Sequence, residues 1–234
     1  MHDIVYVLRN GIDDTEELRY SLRSLVNFPH GKVWFFGGTP EGFTPDNAVA
    51  FEQKGISAWS KTRYTIEQAC KTSEVTENFW LFNDDFFIMQ KVEAPADAFY
   101  DRTLYRRIME IRKKLGGATN LYTLELERTR EILQAARKKT YNYETHLPML
   151  INKGEMLKAL ERYEKSALVR SLYGNDHAVG GVQMADCKIS SSAIAPSSDA
   201  VFLSTNEESF NAGKIGEYIR SIFTEPSRYE ITNG

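Results

Sequence analysis

Cysteine is scarce in this chain, with only Cys70 and Cys187 among 234 residues. Two thiols are too few for a disulfide framework or a cysteine-ligated metal cluster, so we expect a soluble protein of a reducing compartment, the cytoplasm. No apolar run approaches the roughly 20 residues that a bilayer span requires, which predicts no membrane span. The opening MHDIVYVLRNG has no basic region or small-residue cleavage site, so it does not resemble a secretory signal.

An excess of positive charge is also absent: 29 Lys and Arg stand against 32 Asp and Glu, a formal net charge of −3. This balance argues against a globally cationic nucleic-acid-binding protein. The sequence contains no Walker loop, nucleophile elbow or Rossmann glycine fingerprint. Neither His146 nor His177 has another histidine at the spacing of a zinc motif.

The first ninety or so residues alternate between short apolar runs and helical patterns. Leu18, Leu22 and Leu25 recur at helical spacing, and Asp14 with Glu17 forms a capping-box signature before them. Strands are predicted at residues 3–8, 32–36, 48–51 and 79–82, and a second helix at residues 62–72. This alternation predicts an α/β fold with a mostly parallel central sheet and helices on both faces. The length fits one domain over residues 1–234.

Residues 101–140 form a basic block, with eleven Lys or Arg against five Asp or Glu. Two helices are predicted there, at residues 101–115 and 124–139, separated by Gly116 and Gly117. We interpret the block as a helical insertion or lobe within the domain, with a solvated basic surface. The alternative is a surface that recruits a polyanion such as DNA or an anionic glycan.

The segment FWLFNDDFF places Asp84 and Asp85 at the end of a predicted buried strand, between aromatic residues. A buried carboxylate pair is costly unless a charged group binds to it. Mg²⁺ and Mn²⁺ prefer oxygen ligands and are commonly held by one or two carboxylates together with substrate phosphates. The pair therefore predicts a cation that neutralises a diphosphate, and a simple turn is the competing interpretation.

Three further features have both a functional and a structural interpretation. Arg19 and Arg23 lie four residues apart on a helix, where they could clamp phosphate oxygens or form surface ion pairs. His146 precedes Leu-Pro, a position more typical of a structural histidine than of a catalyst. Asp176 and His177 lie in a glycine-flanked segment that suits either a site or a tight turn.

Taken in order, five segments of the chain resemble the conserved regions of the Stealth family. They are DIVYVLRNG, EELRYSLRSL, NFWLFNDDFF, THLPMLINKGEMLKAL and VFLSTNEESF. The family includes bacterial capsular-polysaccharide sugar-phosphate polymerases and the catalytic core of the transferase that adds N-acetylglucosamine-1-phosphate to lysosomal enzymes. The resemblance covers most of residues 3–100 and roughly 144–210, and it leaves the basic block outside.

The resemblance implies a nucleotide-sugar transferase (GT-A-like) architecture and a set of donor-binding residues. Asp3 begins the strand that lies beside the nucleotide, and Arg19 and Arg23 match the arginines of the LRYSLRS helix. Asn206 and Glu207 stand where the family usually has Asn-Asp, so Glu207 departs from the pattern. Leu8 replaces the tryptophan usual after the first strand, which puts the contacts to base or ribose in doubt.

The resemblance also implies catalytic residues. His146 matches the family's histidine before Leu-Pro, and Arg170 its arginine after that region. Glu67 is similar to a glutamate in the helix before the acidic pair, and Asp176 to an acidic residue beyond the arginine. Asp84 and Asp85 match the family's metal-binding pair. We expect His146 to be the general base, with Glu67 taking that role or orienting the histidine.

The resulting hypothesis is a transferase dependent on Mg²⁺ or Mn²⁺ that moves a sugar-1-phosphate from a nucleotide-diphosphate sugar to a hydroxyl of a glycan or another acceptor. The closest alternative is a GT-A-type glycosyltransferase that releases a nucleoside diphosphate. Its acceptor could be a modified base in DNA, as in phages, which would give the basic block a purpose. A third interpretation is a non-catalytic domain that binds glycan or nucleic acid.

Overall fold

The computed structural model describes residues 1–11, 15–164 and 168–231. Asp14, one half of the predicted capping box, lies outside the described residues. The described residues form the following strands: β1 (Asp3–Leu8), β2 (Val33–Gly37), β3 (Asn47–Ala50), β4 (Asn78–Phe82), β5 (Phe86–Ile88), β6 (Phe99–Tyr100), β7 (Met149–Asn152), β8 (Val182–Gln183), β9 (Lys188–Ile189) and β10 (Phe202–Thr205).

The helices alternate with the strands in the first part of the chain and dominate its middle. They are α1 (Glu16–Ser24), α2 (Ala58–Lys71), α3 (Leu104–Lys114), α4 (Leu121–Ala135), α5 (Lys153–Arg162), α6 (Val169–Asp176), α7 (Glu207–Ala212) and α8 (Lys214–Ile222). Helix α2 begins four residues before its predicted start because Ser57 and Ser60 cap it reciprocally. The Ser57 hydroxyl accepts from the Ser60 amide at 3.2 Å, and the Ser60 hydroxyl accepts from the Ser57 amide at 2.9 Å.

The central sheet has five strands in the order β3-β2-β1-β4-β7. The first four are parallel, and β7 pairs antiparallel to β4. A smaller sheet, β5-β10-β9, continues from the end of β4, and β6 pairs with β8. The predicted α/β class with a mostly parallel sheet is therefore confirmed.

Both faces of the sheet are covered by helices. Ile4 and Tyr6 of β1 pack on one face with Leu18 and Leu22 of α1. Val5, which points to the other face, belongs to a second apolar cluster built with residues of α2, α5 and α6. Successive side chains of a strand alternate between faces, so the continuous apolar run of β1 is what a sheet buried on both faces requires.

The basic block folds as a hairpin of two helices, α3 and α4. Gly116 and Gly117 join them with φ of 61° and 92°, values that glycine adopts without the strain a Cβ would bring. Leu104 and Leu126 are fully buried in an apolar cluster that also contains residues of α5 and α6. The hairpin is therefore packed onto the main body of the fold. Within the described ranges, no helix combines the length and apolar character that crossing a bilayer requires.

Candidate active site

A cleft of about 700 Å³ opens at the carboxyl ends of β1 and β4. Arg9 and Asn10 follow β1 and line it, and so do Asp84 and Asp85, which lie in the turn between β4 and β5. The first turns of α1, α2 and α7 contribute the remaining walls together with β9 and the end of β10. Ligands of open α/β sheets bind at this edge, so the cleft lies where the sequence predicted a site.

Asp85 is buried and only partly satisfied by hydrogen bonds. Its Oδ2 accepts from Lys188 Nζ at 2.9 Å and from the Ser204 hydroxyl at 3.1 Å. Its Oδ1 is buried and has no hydrogen-bond partner among the described residues. A buried oxygen without a partner costs about 1–3 kcal/mol, and a bound cation is one way to satisfy it.

Asp84 and Glu17 bring two more carboxyl groups to the cleft, and both are shifted toward the protonated form. Burial, with the charge of Asp85 as a second cause, raises the pKa of Asp84 to about 6. Burial also raises the pKa of Glu17 to about 7, although a hydrogen bond from the Thr205 hydroxyl opposes the shift. Lys188 neutralises part of this negative charge, and a divalent cation would relieve the repulsion that remains between the carboxylates.

The cleft therefore fits a magnesium or manganese ion better than a softer metal. Asp84 and Asp85 supply oxygen atoms only, and Asp85 Oδ1 has no partner in the described ranges. Within the part of the chain that the structure describes, no group of three or more His, Cys, Asp or Glu side chains is arranged to hold a metal alone. The remaining ligands would be water and oxygen atoms of a bound ligand, the usual arrangement for Mg²⁺.

Cationic side chains from three elements line the same cleft. Arg9 lies at the end of β1, Lys61 on α2 and Lys188 on β9. Lys188 pairs with Asp85 in the structure. A cleft that mixes carboxylates with cations is suited to a ligand that carries both phosphate groups and a bound metal.

Asn206 and Glu207 also line the cleft, at the start of α7. The Asn206 side chain caps that helix by accepting from the Ser209 amide at 3.0 Å. The structure thus brings together both predicted donor-binding residues of this segment and the predicted metal pair.

A second pocket of about 320 Å³ adjoins the cleft, and Thr62 and Asn83 line both. His146 and Arg170 line this second pocket. His146 Nδ1 lies 3.0 Å and 3.1 Å from the two carboxylate oxygens of Asp186. The predicted catalytic histidine thus stands next to the acidic cleft, and its nearest charged partner is Asp186.

Arg170 is buried beneath this pocket. Its guanidinium donates to the Leu147 carbonyl at 2.7 Å and lies over the Phe86 ring. Burial lowers the pKa of Arg170 to about 10, while the charges of Glu144 and Asp85 oppose the shift, so the guanidinium stays protonated at neutral pH. Burial raises the pKa of Glu144, whose carboxylate accepts from the Ser171 amide at 2.8 Å.

The structure does not bring Arg19 and Arg23 to the cleft. Arg19 Nη1 lies 2.8 Å from Glu230 Oε2, and Arg23 binds both oxygens of the same carboxylate at 2.8 Å. Burial acts against the shift, but the hydrogen bonds from Arg23, the Ser227 amide and Arg19 lower the pKa of Glu230 to about 2. The two arginines therefore hold the C-terminal segment against α1, and we do not include them in the candidate site.

Asp3 and Glu67 also lie away from the cleft. Asp3 starts β1, at the amino edge of the sheet, and its carboxylate accepts from the Lys32 amide at 3.0 Å and from Trp34 Nε1 at 2.9 Å. Glu67 forms an i,i+4 ion pair with Lys71 on α2 and lines neither pocket. The geometry thus gives Asp3 a structural role, and it does not place Glu67 beside His146.

Asp176 is the fifth predicted site residue that lines neither the cleft nor the second pocket. It ends α6, and its buried carboxylate accepts from Arg162 at 2.7 Å, from the Tyr163 hydroxyl at 2.8 Å and from Lys138 Nζ at 3.1 Å. Lys138 belongs to the basic block, so this cluster joins the block to the main fold. Burial would raise the pKa of Asp176, but these hydrogen bonds outweigh it and lower the pKa.

Several residues in or beside the two pockets are not identified by the sequence interpretation. Glu17 was assigned to helix capping, although the first turn of a helix that follows a strand of a parallel sheet also lies at the ligand-binding edge. Asp186 and Lys188 belong to the segment ADCKIS. Its strand has only two residues, which is too short to show the alternating apolar pattern that predicts a strand. Arg107, which lines the second pocket from α3, had been grouped with the solvated charges of the basic block.

The comparisons with known proteins find likeness among solved structures alone. No family model and no curated protein sequence matches the chain. Among solved structures, the chain is similar to the apo form of mouse xyloside xylosyltransferase 1, with a TM-score of 0.38 and 10% sequence identity. The match covers 81% of this chain and 87% of that one.

Proposed function

We propose that the chain is a nucleotide-sugar-dependent transferase of GT-A-like architecture that transfers a sugar-1-phosphate to an acceptor hydroxyl. The observation that carries this proposal is the juxtaposition of the carboxylate pair Asp84 and Asp85, in which Asp85 Oδ1 is buried without a partner among the described residues, with the pocket that contains His146. The resemblance of the segments around these residues to the Stealth family supports the same function.

The donor would bind in the larger cleft. Asp84 and Asp85 would hold Mg²⁺ or Mn²⁺, which when bound neutralises charge on the diphosphate and on the departing nucleotide. Arg9, Lys61 and Lys188 supply positive charge along the same walls. Because negative charge spreads over the phosphoryl oxygens in the transition state, positioned cations provide most of the catalysis in such reactions.

The acceptor would enter through the second pocket. His146 accepts the proton of the acceptor hydroxyl, while the hydroxyl oxygen forms a bond to the phosphorus attached to the sugar. The bond from that phosphorus to the bridging oxygen of the diphosphate breaks, and a nucleoside monophosphate leaves. Arg170, buried and protonated, offsets negative charge at the junction of the two pockets, where its guanidinium lies 3.5 Å from the Asn83 side-chain oxygen.

Glycosyl transfer is the second candidate, and the positions of five residues favour it. The resemblance to sugar-phosphate transferases gives roles to residues that line neither the cleft nor the second pocket: Asp3, Arg19, Arg23, Glu67 and Asp176. In glycosyl transfer the acceptor attacks the anomeric carbon and a nucleoside diphosphate leaves. The acceptor would be a glycan or, through the basic hairpin that contributes Arg107, a modified base in DNA.

One experiment tests the proposal and separates it from the alternatives. The protein is incubated with a panel of nucleotide sugars and Mg²⁺ or Mn²⁺, and the released nucleotide is identified by mass spectrometry, with Asp85→Asn as the control. A nucleoside monophosphate supports sugar-phosphate transfer, and a nucleoside diphosphate supports glycosyl transfer. Binding without release, unchanged in Asp85→Asn, would instead support a non-catalytic binding domain.

A further inference from the structure

We propose that Asp186 is the positioning residue of His146: it holds the imidazole in the tautomer that carries its proton on Nδ1 and leaves Nε2 free to accept a proton. This inference rests on the proposed function for its catalytic meaning. The arrangement of the two side chains can be tested without any turnover.

The contacts between the two residues define one orientation of the ring. Both oxygens of Asp186 lie within 3.1 Å of His146 Nδ1, and Oδ1 also accepts from the His146 backbone amide at 3.1 Å. The same carboxylate therefore binds both the ring and the main chain of one residue. An ionised carboxylate can only accept, so Nδ1 must be the nitrogen that carries the proton.

The surroundings keep Asp186 ionised and in place. Burial would raise the pKa of Asp186, but the hydrogen bonds from His146 and the charge of Arg107 outweigh burial and lower it. Arg107 Nη2 lies 4.0 Å from Asp186 Oδ2, so the hairpin of α3 and α4 contributes a charge behind the pair. The Cys187 thiol donates to the His146 carbonyl at 3.0 Å, which fixes the histidine from the same segment.

The segment that carries Asp186 also connects the two halves of the site. Lys188, two residues further along, pairs with Asp85 in the cleft. Residues 186–188 therefore contact both the histidine beside the acceptor pocket and the carboxylate of the metal pair. Displacement of this segment would misplace both His146 and Asp85. A test of the role of Asp186 therefore needs a variant that removes only its charge.

Asp186→Asn is that variant, because asparagine keeps the size and one oxygen. The amides of His146 and Lys188 both donate toward Oδ1, at 3.1 Å and 3.4 Å, so the amide oxygen should occupy that position. The NH₂ group then takes the place of Oδ2 and donates to Nδ1, which forces the proton onto Nε2. The imidazole is then unable to accept the proton of the acceptor.

The experiment measures the ring tautomer by ¹⁵N NMR of histidine-labelled protein at pH 8, with the His146 signals assigned by loss in His146→Gln. We expect the Nδ1–H tautomer in the unmodified protein and the Nε2–H tautomer in Asp186→Asn. With a donor and acceptor in hand, kcat should fall by about 10²- to 10⁴-fold while KM stays within a few-fold. Asp199→Asn, the same change in an exposed loop, should alter neither quantity.

An Nε2–H tautomer in the unmodified protein would overturn the proposal, and so would an Asp186→Asn protein that keeps both the Nδ1–H tautomer and its kcat. The first measurement does not use Asp186→Asn, so misfolding of that variant cannot protect the inference. If no donor is turned over, the proposed function fails, and the tautomer still decides whether Asp186 positions His146.

Discussion

The two edges of the central sheet each bury aspartate, but they satisfy it differently. At the amino edge, the Asp3 carboxylate accepts from the Lys32 amide, the Thr76 amide and the Trp34 indole, so each oxygen has a donor. At the carboxyl edge, Asp85 has one oxygen bound and one to which none of the described residues donates. Asp84 beside it has a pKa raised by burial and by the charge of Asp85.

The difference separates a carboxylate that stabilises the fold from one that has room for a ligand. Asp3 joins the start of β1 to the neighbouring chain segments, and both of its oxygens accept hydrogen bonds from the protein. At the carboxyl edge the described residues supply no donor to Asp85 Oδ1, and the proposed cation would satisfy it. Burial and acidity alone do not distinguish the two cases, whereas the count of hydrogen-bond donors does.

Among tests of the contrast between Asp3 and Asp85, the substitution Asp85→Asn should have the largest effect. We expect it to weaken Mn²⁺ binding by at least about 100-fold and to lower kcat/KM by about 10³-fold or more, because the cation loses a charged ligand. Thermal stability should change little, because loss of the ion pair with Lys188 is offset by relief of repulsion with Asp84. Mn²⁺ titration by electron paramagnetic resonance and steady-state kinetics measure the two quantities.

Asp3→Asn is the matched change at the other edge and should have the opposite signature. An NH₂ group would face backbone and indole donors, so the free energy of unfolding should fall by about 2–3 kcal/mol in urea titrations. The folded fraction should bind Mn²⁺ and turn over donor as the unmodified protein does. Lost turnover with unchanged stability would return Asp3 to the site, as the family resemblance implies.

These contrasts show what could be predicted from the sequence. The alternation of apolar strands and helices, and the strand end at Asn83, are local patterns, so the sheet and its acidic pair were predictable. Whether a charged residue is satisfied depends on distant partners: Glu230 lies 207 residues from Arg23 and binds it at 2.8 Å. No local sequence pattern predicts such a pair. For the same reason, the pairing of His146 with Asp186, 40 residues away, could not be predicted from the sequence.

A smaller effect is expected from the ion pair between Lys188 and Asp85 in the cleft. Lys188 is the only cation that pairs with Asp85 among the described residues, so Lys188→Met should expose the carboxylate pair to a stronger mutual repulsion. We expect Mn²⁺ to bind up to about tenfold more tightly in the absence of donor, because the ion no longer competes with an ammonium group. Lys91→Met, which removes an exposed lysine paired with Glu93, is the control and should leave the affinity unchanged. Weaker binding in Lys188→Met would mean that the lysine supports the ion's site instead of competing for it.

The smallest effect concerns pH and measures the cost of ionising a buried carboxyl group in the cleft. Burial raises the pKa of Glu17 to about 7, above the value of about 4.3 expected in the unfolded chain. Between these values the native state holds more protons than the unfolded state, so the contribution of Glu17 to stability falls as pH rises through this window. His30, whose pKa burial lowers, acts in the opposite direction, so the informative quantity is a difference between two proteins.

Glu17→Gln keeps the oxygen that accepts from the Thr205 hydroxyl and removes the charge. Relative to the unmodified protein, its melting temperature should rise by a few degrees between pH 5 and pH 8, measured without metal by calorimetry. Saturating Mn²⁺ should reduce part of that difference, because the cation offsets the charges of Asp85 and Asp84, which add to burial in raising the pKa of Glu17. A difference that does not depend on pH would mean that Glu17 is ionised at no cost, and that the cleft is less crowded with negative charge than its geometry indicates.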